Sequence, residues 1–295
     1  MEMLLHGNAL LALAAAVLWG GGDFSGGMAV KSAGGTMGAA LRVILLSHAV
    51  SLAILLAVVW WRGDTFPHGA ALAWGLVAGV TAGIALACFY VALSRGAMGA
   101  SAALSGLLAA AIPAAVSAGA EGSPGLLRLV GFVVAGAAIW LIAAGPNPEA
   151  KTADRGTVWL AVIGGVGFGI YFVALKFAGS AGVIWPLATA RMGSLVVCSL
   201  LVGGMALGAN VGEAKVRLTR VAVAWAMGAV LLDTSGNLLF IAATRAGRLD
   251  VAAVLASLYP ASTILLAAWT LHERPTRRQG LGMAVAAAAV VMISI

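Results

Sequence analysis

The sequence predicts an all-α polytopic membrane protein with ten transmembrane helices arranged as two inverted five-helix repeats. Three observations carry that prediction. The 295 residues are 62% hydrophobic and only 9% charged, with a mean hydropathy of +1.05. No soluble domain of this length can hide so much apolar surface. The apolar residues fall into stretches of about 20, the length that crosses a bilayer as a helix. Finally, a series of short motifs recurs in the same order about 150 residues later. The 40 glycines suit helices that approach closely in lipid.

Taken in order, the spans are expected at 8–30, 36–60, 69–94, 98–119, 126–145, 156–177, 184–208, 220–244, 250–271 and 279–295. Met1-Glu2-Met3-Leu4-Leu5 has neither a basic start nor a small-residue cleavage site, so the first span is retained rather than removed as a signal. Charged residues and Gly/Pro turns mark the other ends: Lys31, Arg62, Arg95, Arg128, Arg155, Lys176, Arg220, Arg248 and the Arg277–Arg278 pair. The longest connections, Pro146–Arg155 and Asn210–Arg220, are too short to hold a soluble domain.

The repeat is read from three matches. Tyr90-Val-Ala-Leu-Ser-Arg95 recurs as Phe240-Ile-Ala-Ala-Thr-Arg245, Glu121 answers Glu273, and Arg42 answers Arg191. Residues 1–145 and 156–295 thus form two repeats joined by a loop over 146–155. Each holds an odd number of spans, so the two must cross the membrane in opposite senses. Inverted repeats place a substrate site at their interface near the midplane and alternate access by rocking one against the other.

The closing stretch adds a resemblance. Its ninth span carries Pro260, a His272-Glu273-Arg274-Pro275 turn follows, and the last span opens on Gln279-Gly280-Leu281-Gly282. This resembles the final helix pair of the drug/metabolite transporter superfamily, in its ten-helix EamA-domain branch. The resemblance covers essentially the whole chain. It implies a secondary transporter exporting small metabolites across the bacterial inner membrane, with both termini on the cytoplasmic side. The Trp19-Gly-Gly-Gly-Asp23-Phe24 segment most resembles exporters of amino acids, aromatic ones included. A multidrug or nucleotide-sugar-like transporter of the same fold is the alternative. Loop charges alone point the termini outward, since ten basic residues lie on the opposite side against five on theirs.

Deep polar residues are the functional candidates, because an ionised group at mid-bilayer costs about 2.5 kcal/mol or more. Asp23 and Asp233 lie deepest. Four glycines around Asp23 are expected to loosen the first helix and expose its backbone. Two readings of Asp23 stand open, a cavity role or a structural pair with Arg42 or Lys31. Asp233 and Asn237 share a helix face at i and i+4, facing either a cavity or a neighbouring helix. Arg42 and Arg191 either snorkel to headgroups or bind a substrate carboxylate. His48 reads as a hydrogen-bonded bundle residue or a proton relay. Trp60, Trp61, Trp74, Trp159, Trp225 and Trp269 are expected in the interfacial belts. Deeper rings, Trp19, Tyr171 and Tyr259, with Tyr90 and Trp185 at intermediate depth, are expected to build a partly aromatic cavity. Ser101, Ser105 and Ser257 would face it.

Cys88 and Cys198 lie inside apolar runs and read as free buried thiols. No spacing of His, Cys, Asp and Glu suggests a metal site, no cofactor motif appears, and the lack of a Walker motif excludes an ATP-driven pump. A pI near 10.1 points to anionic lipid headgroups rather than nucleic acid, because the cations sit at span ends. A small-molecule substrate and the bilayer are therefore the expected partners, and a monomer is consistent with the sequence. A membrane-embedded enzyme lacks an acid/base constellation, and a sensor lacks a signalling domain.

Overall fold

A computed structural model describes residues 2–95, 98–143, 155–208, 212, 216–270 and 276–294. It is all-helical among those residues. The helices are α1 (Glu2–Ser32), α2 (Met37–Arg62), α3 (Gly69–Ser94), α4 (Met98–Ala120), α5 (Leu126–Ala143), α6 (Arg155–Ala178), α7 (Ile184–Leu207), α8 (Arg220–Ala246), α9 (Leu249–Ala256), α10 (Tyr259–Thr270) and α11 (Arg277–Ser294). A 3₁₀ turn over Gly179–Ala181 links α6 to α7. Six helices, α1, α2, α3, α6, α7 and α8, are long and apolar enough to cross a membrane by length and composition. Shorter apolar stretches lie in α4, in α5 and across α9 and α10. With α9 and α10 as two halves of one span, the fold is that of a ten-span polytopic membrane protein. Residues 144–154 of the central connection, and 271–275 with His272 and Glu273, lie outside the described residues.

Local chemistry sets several helix ends. The Thr36 hydroxyl accepts from the Ala39 amide at 3.2 Å to cap α2, and the Thr219 hydroxyl does the same for α8 from Ala222 at 3.1 Å. Gly63 closes α2 at φ 69°, a left-handed conformation that favours glycine. The matched segments after Tyr90 and Phe240 end alike. Ser94 Oγ donates to the Val91 carbonyl at 2.8 Å, and Thr244 Oγ1 donates to the Ile241 carbonyl at 2.9 Å.

Packing follows the same correspondence in part. The most extensive contacts are α1 on α8, α3 on α6, α5 on α11, α3 on α7, α4 on α6, and α2 on α7, while α1 also lies along α9 and α10. Exchanging α1 with α6, α2 with α7, α3 with α8, α4 with the α9–α10 pair, and α5 with α11 maps the α1–α8 contact onto α6–α3 and the α4–α6 contact onto that of α1 with α9 and α10, but the extensive α3–α7 contact maps onto a much smaller one between α8 and α2.

The expected weak point in α1 is not there. The helix runs unbroken from Glu2 to Ser32 through Gly20, Gly21 and Gly22. Those glycines serve close approach instead. A Cβ on Gly20 would lie 2.7 Å from the Tyr259 carbonyl oxygen, and one on Gly22 would lie 3.3 Å from the Asp233 nitrogen. Such contacts between neighbours hold α1 helical. The interruption falls in the ninth span, expected as one helix over 250–271. Pro260 has no N–H, so the Ala256 carbonyl loses its helical partner. Leu258 donates to Leu255 at 3.2 Å and Ala261 to Leu258 at 3.0 Å, a tighter turn replacing the α ladder. By contrast, Pro113 sits inside α4 without ending it.

Trp60 and Trp61 are 87% exposed, and Trp159 and Trp269 are also open, as an interfacial belt requires. Cys88 and Cys198 are free and buried.

The α3–α7 seam gives a direct test of this packing. A Cβ at Gly79 would lie 2.8 Å from backbone atoms of both Ala190 and Ser194, whereas nothing lies within 4 Å of one at Gly203. Gly79→Ala is expected to cost about 1–3 kcal/mol through overpacking and to lower the melting temperature of the purified protein by several degrees. Gly203→Ala should leave it unchanged or slightly raised. A Gly79→Ala protein that melts like the wild type would show that the two backbones do not meet there.

Candidate functional site

The site is built around a guanidinium that lies inside the bundle. Arg191, on α7, is only 2% exposed. It therefore does not snorkel to the headgroups, as one reading of the sequence had it. Its Nη2 donates to Asp233 Oδ2 of α8 in an ion pair. Its Nε donates to Ser51 Oγ of α2 at 3.2 Å, and Nη1 meets His48 Nε2 at 2.8 Å. An arginine can only donate, so the His48 Nε2 lone pair accepts and the ring proton sits on Nδ1. That proton is given to Ser194 Oγ at 2.7 Å. His48 is thus a hydrogen-bonded bundle residue in its neutral form.

Asp233 reaches on toward the second face of the site. Asn237, one turn along α8, donates from Nδ2 to Asp233 Oδ1 at 2.9 Å and to the Asp233 carbonyl at 2.7 Å. The Tyr171 hydroxyl of α6 donates to Asn237 Oδ1 at 2.5 Å. Ser51 and Thr234 share a further hydrogen bond of 2.7 Å between α2 and α8. One continuous polar chain therefore ties α2, α6, α7 and α8.

Beside this chain runs a narrow cleft. Its walls are Trp19 and Asp23 of α1, Ala82 and Leu86 of α3, Phe168, Tyr171 and Phe172 of α6, Arg191, Asp233 and Asn237, and Tyr259 at the start of α10. Trp19 stacks on Phe172 with centroids 5.1 Å apart and planes within 4°. Phe240 leans on both, at 5.3 and 4.7 Å. Phe89 meets Tyr259 edge-on at 6.2 Å. The Tyr259 hydroxyl donates to the Ala102 carbonyl of α4 at 3.2 Å. Ser262 and Thr263 then fasten α10 to α1, donating to the Ala16 and Gly20 carbonyls at 3.1 and 3.2 Å.

Of the residues expected in the site, the cleft gathers Trp19, Asp23, Tyr171, Arg191, Asp233, Asn237 and Tyr259. Asp23 makes no ion pair or hydrogen bond among the described residues, so the expected pairing with Arg42 or Lys31 is absent. Tyr90 is buried one layer back, its ring filling the space that a side chain at Gly26 would take. Ser105 and Ser257 are fully buried where α4 crosses the α9–α10 break, and neither lines the cleft. Ser101 does not line it either. Arg42 stays outside, although its repeat mate Arg191 is central. Trp185 lines a separate hollow with Arg62 and Arg245 near the α6–α7 turn.

Several members were not anticipated. Ser51, Ser194, Thr234, Phe168, Phe172 and Phe240 carry no individual signal. Spacing held a partial one: Ser51 lies at i+3 from His48, Ser194 at i+3 from Arg191, and Phe168, Tyr171 and Phe172 at i, i+3 and i+4 on one face of α6.

Residues 155–295 match the model of the EamA-like transporter family, so the second half of the chain is an EamA-like transporter domain. No curated protein matches significantly. A crystal structure of another protein superposes with a TM-score of 0.71 at 16% sequence identity, over 97% of this chain and 95% of the other. At that identity the likeness is one of fold.

Removing one partner of the buried pair leaves an uncompensated charge. Asp233→Ala is therefore expected to destabilise the protein by about 3–5 kcal/mol. The double variant Arg191→Met with Asp233→Leu should recover much of that loss. Unfolding in detergent of both single variants, Asp233→Leu and Arg191→Met, and of the double variant measures the coupling; losses that simply add in the double variant would mean the two groups are not coupled.

Proposed function

We propose that this chain is a secondary transporter that exports small metabolites, above all amino acids including aromatic ones, by alternating access through the central cleft. One observation carries the reading. The cleft takes its walls from α1 and α3 of the first half of the chain and from α6, α7, α8 and α10 of the second. It also touches Tyr259 at the interrupted ninth span. Substrate sites of inverted-repeat transporters lie at such interfaces, next to broken helices. The EamA-like match over 155–295 supports transport of a small solute, and the sequence repeat extends that reading to the first half.

A polar cluster at the terminal face is in keeping with a rocking motion. Glu121, after α4, takes the Ser117 hydroxyl at 2.9 Å and faces Lys176 of α6 at 3.6 Å. Arg248, before α9, donates to the Glu121 and Gly122 carbonyls at 3.2 and 2.8 Å. These contacts join first-half to second-half residues and would have to part for the cleft to open to that face. The bacterial inner membrane, with both termini cytoplasmic, is the setting this reading takes. An accumulated metabolite leaves downhill, so facilitated diffusion suffices as the driving force.

Counterflow in liposomes holding the purified protein tests this. Exchange of radiolabelled phenylalanine is expected without an imposed pH gradient. Tyr259→Ala and Trp19→Ala should each slow it about tenfold or more, as loss of a central aromatic contact does, while still inserting and folding. Wild-type exchange in both variants would remove the aromatic cleft from the path. Uphill movement driven by a pH gradient would replace diffusion by proton coupling.

A further inference from the structure

We infer that Asp23 is the cation-recognising group of the cleft, and that the solutes it takes are small aromatic or apolar amines. In this class the ammonium end is required and a carboxylate end is not. The inference rests on the transport reading for its purpose, but it concerns binding.

Three charged side chains line the cleft: Asp23, Arg191 and Asp233. Two of them neutralise one another. Arg191 spends its donors on Asp233, His48 and Ser51, and Asp233 also accepts from Asn237. The third is left over. Asp23 has no cation and no hydrogen-bond donor among the described residues. With all three groups ionised, the described lining thus carries one uncompensated negative charge within an apolar bundle.

A solute with a positive end completes that lining, because a carboxylate in low dielectric is costly until paired. A solute that brings only a negative charge faces repulsion from Asp23. It also gains no arginine, since freeing Arg191 would strand Asp233. The remaining walls suit the rest of such a molecule. Trp19, Phe168, Tyr171, Phe172 and Tyr259 offer ring faces that attract a cation and edges and faces that pack an apolar or aromatic body. Amino acids fall within the class through their ammonium group; plain aromatic amines fall within it equally.

Three probes with one ring and one chain length separate the possibilities: phenethylamine has only the cation, phenylalanine both charges, and 3-phenylpropionate only the anion. Equilibrium binding of each to the full-length protein in detergent is measured. Phenethylamine and phenylalanine are expected to bind, with 3-phenylpropionate at least about thirtyfold weaker, the loss typical when a buried charge lacks its partner. Asp23→Asn should weaken phenethylamine binding by a similar factor, and Asp23→Glu should keep a good part of it; both variants are checked against the wild-type melting temperature. If Asp23→Asn does not fold, the amine-to-acid ratio on the wild type decides. Phenylpropionate binding as tight as the amine, absence of amine binding, or full amine binding by a folded Asp23→Asn protein would each overturn the inference. Flux of the same probes in liposomes reads the transport proposal separately: amine binding without any flux removes transport and keeps the site, and phenylalanine flux with no preference for the cation does the reverse.

Discussion

The buried pair between Arg191 and Asp233 is the interaction on which the centre of the molecule depends. Either group alone would be a costly uncompensated charge inside an apolar bundle. Together they still leave donors and acceptors to satisfy, and side chains of α2 and of α8 itself meet them. His48 and Ser51 bring in α2, Asn237 extends the pair along α8, and Tyr171 adds α6. An apolar contact tolerates sliding by a few tenths of an ångström, but a chain of hydrogen bonds at 2.5–3.2 Å does not. The polar chain therefore fixes rotation and depth for four helices, three of them in the second half and one in the first.

Such directional contacts need backbones that come close, and glycine supplies the approach. The Gly20–Gly22 run lets α1 lie against both α8 and α10. Gly79 and Gly193 bring α3 and α7 together, with a Cβ on Gly193 falling 3.2 Å from the Gly79 Cα. In lipid the hydrophobic effect gives helices little reason to associate, so close van der Waals contact and shared hydrogen bonds must do it. The bundle uses both at the same level, which is also the level of the cleft.

The cleft itself divides into a satisfied wall and an unsatisfied one. On one side the polar chain is closed and charge-neutral. On the other, Asp23 projects from an intact helix beside rings from α1, α6 and α10. The break before Pro260 places Tyr259 at the start of a helix, where its hydroxyl reaches α4 and its ring faces the cleft. Stacking of Trp19 on Phe172 joins α1 and α6 directly beside the cleft.

Much of the fold was legible in the residues because the bilayer imposes a length and a composition on every span. Helix positions, the free cysteines, the exposed tryptophans and the depth of Asp23 and Asp233 all follow from that constraint. Asn237 beside Asp233 was readable too, being fixed by helical geometry alone. The equivalence of Arg42 and Arg191 was misleading, as was the expected loosening of α1. Both concern which way a helix turns and what meets it. Helices apolar on nearly every face carry no amphipathic stripe to declare an inward side, so sequence leaves their rotation open. Only the packed structure decides that Arg191 turns to Asp233 while Arg42 stays outside the cleft, that glycines become contacts rather than a hinge, and that Asp23 is left with no partner among the described residues. Pairing between distant helices depends on atoms a hundred or more residues apart, and no local pattern in the chain records it.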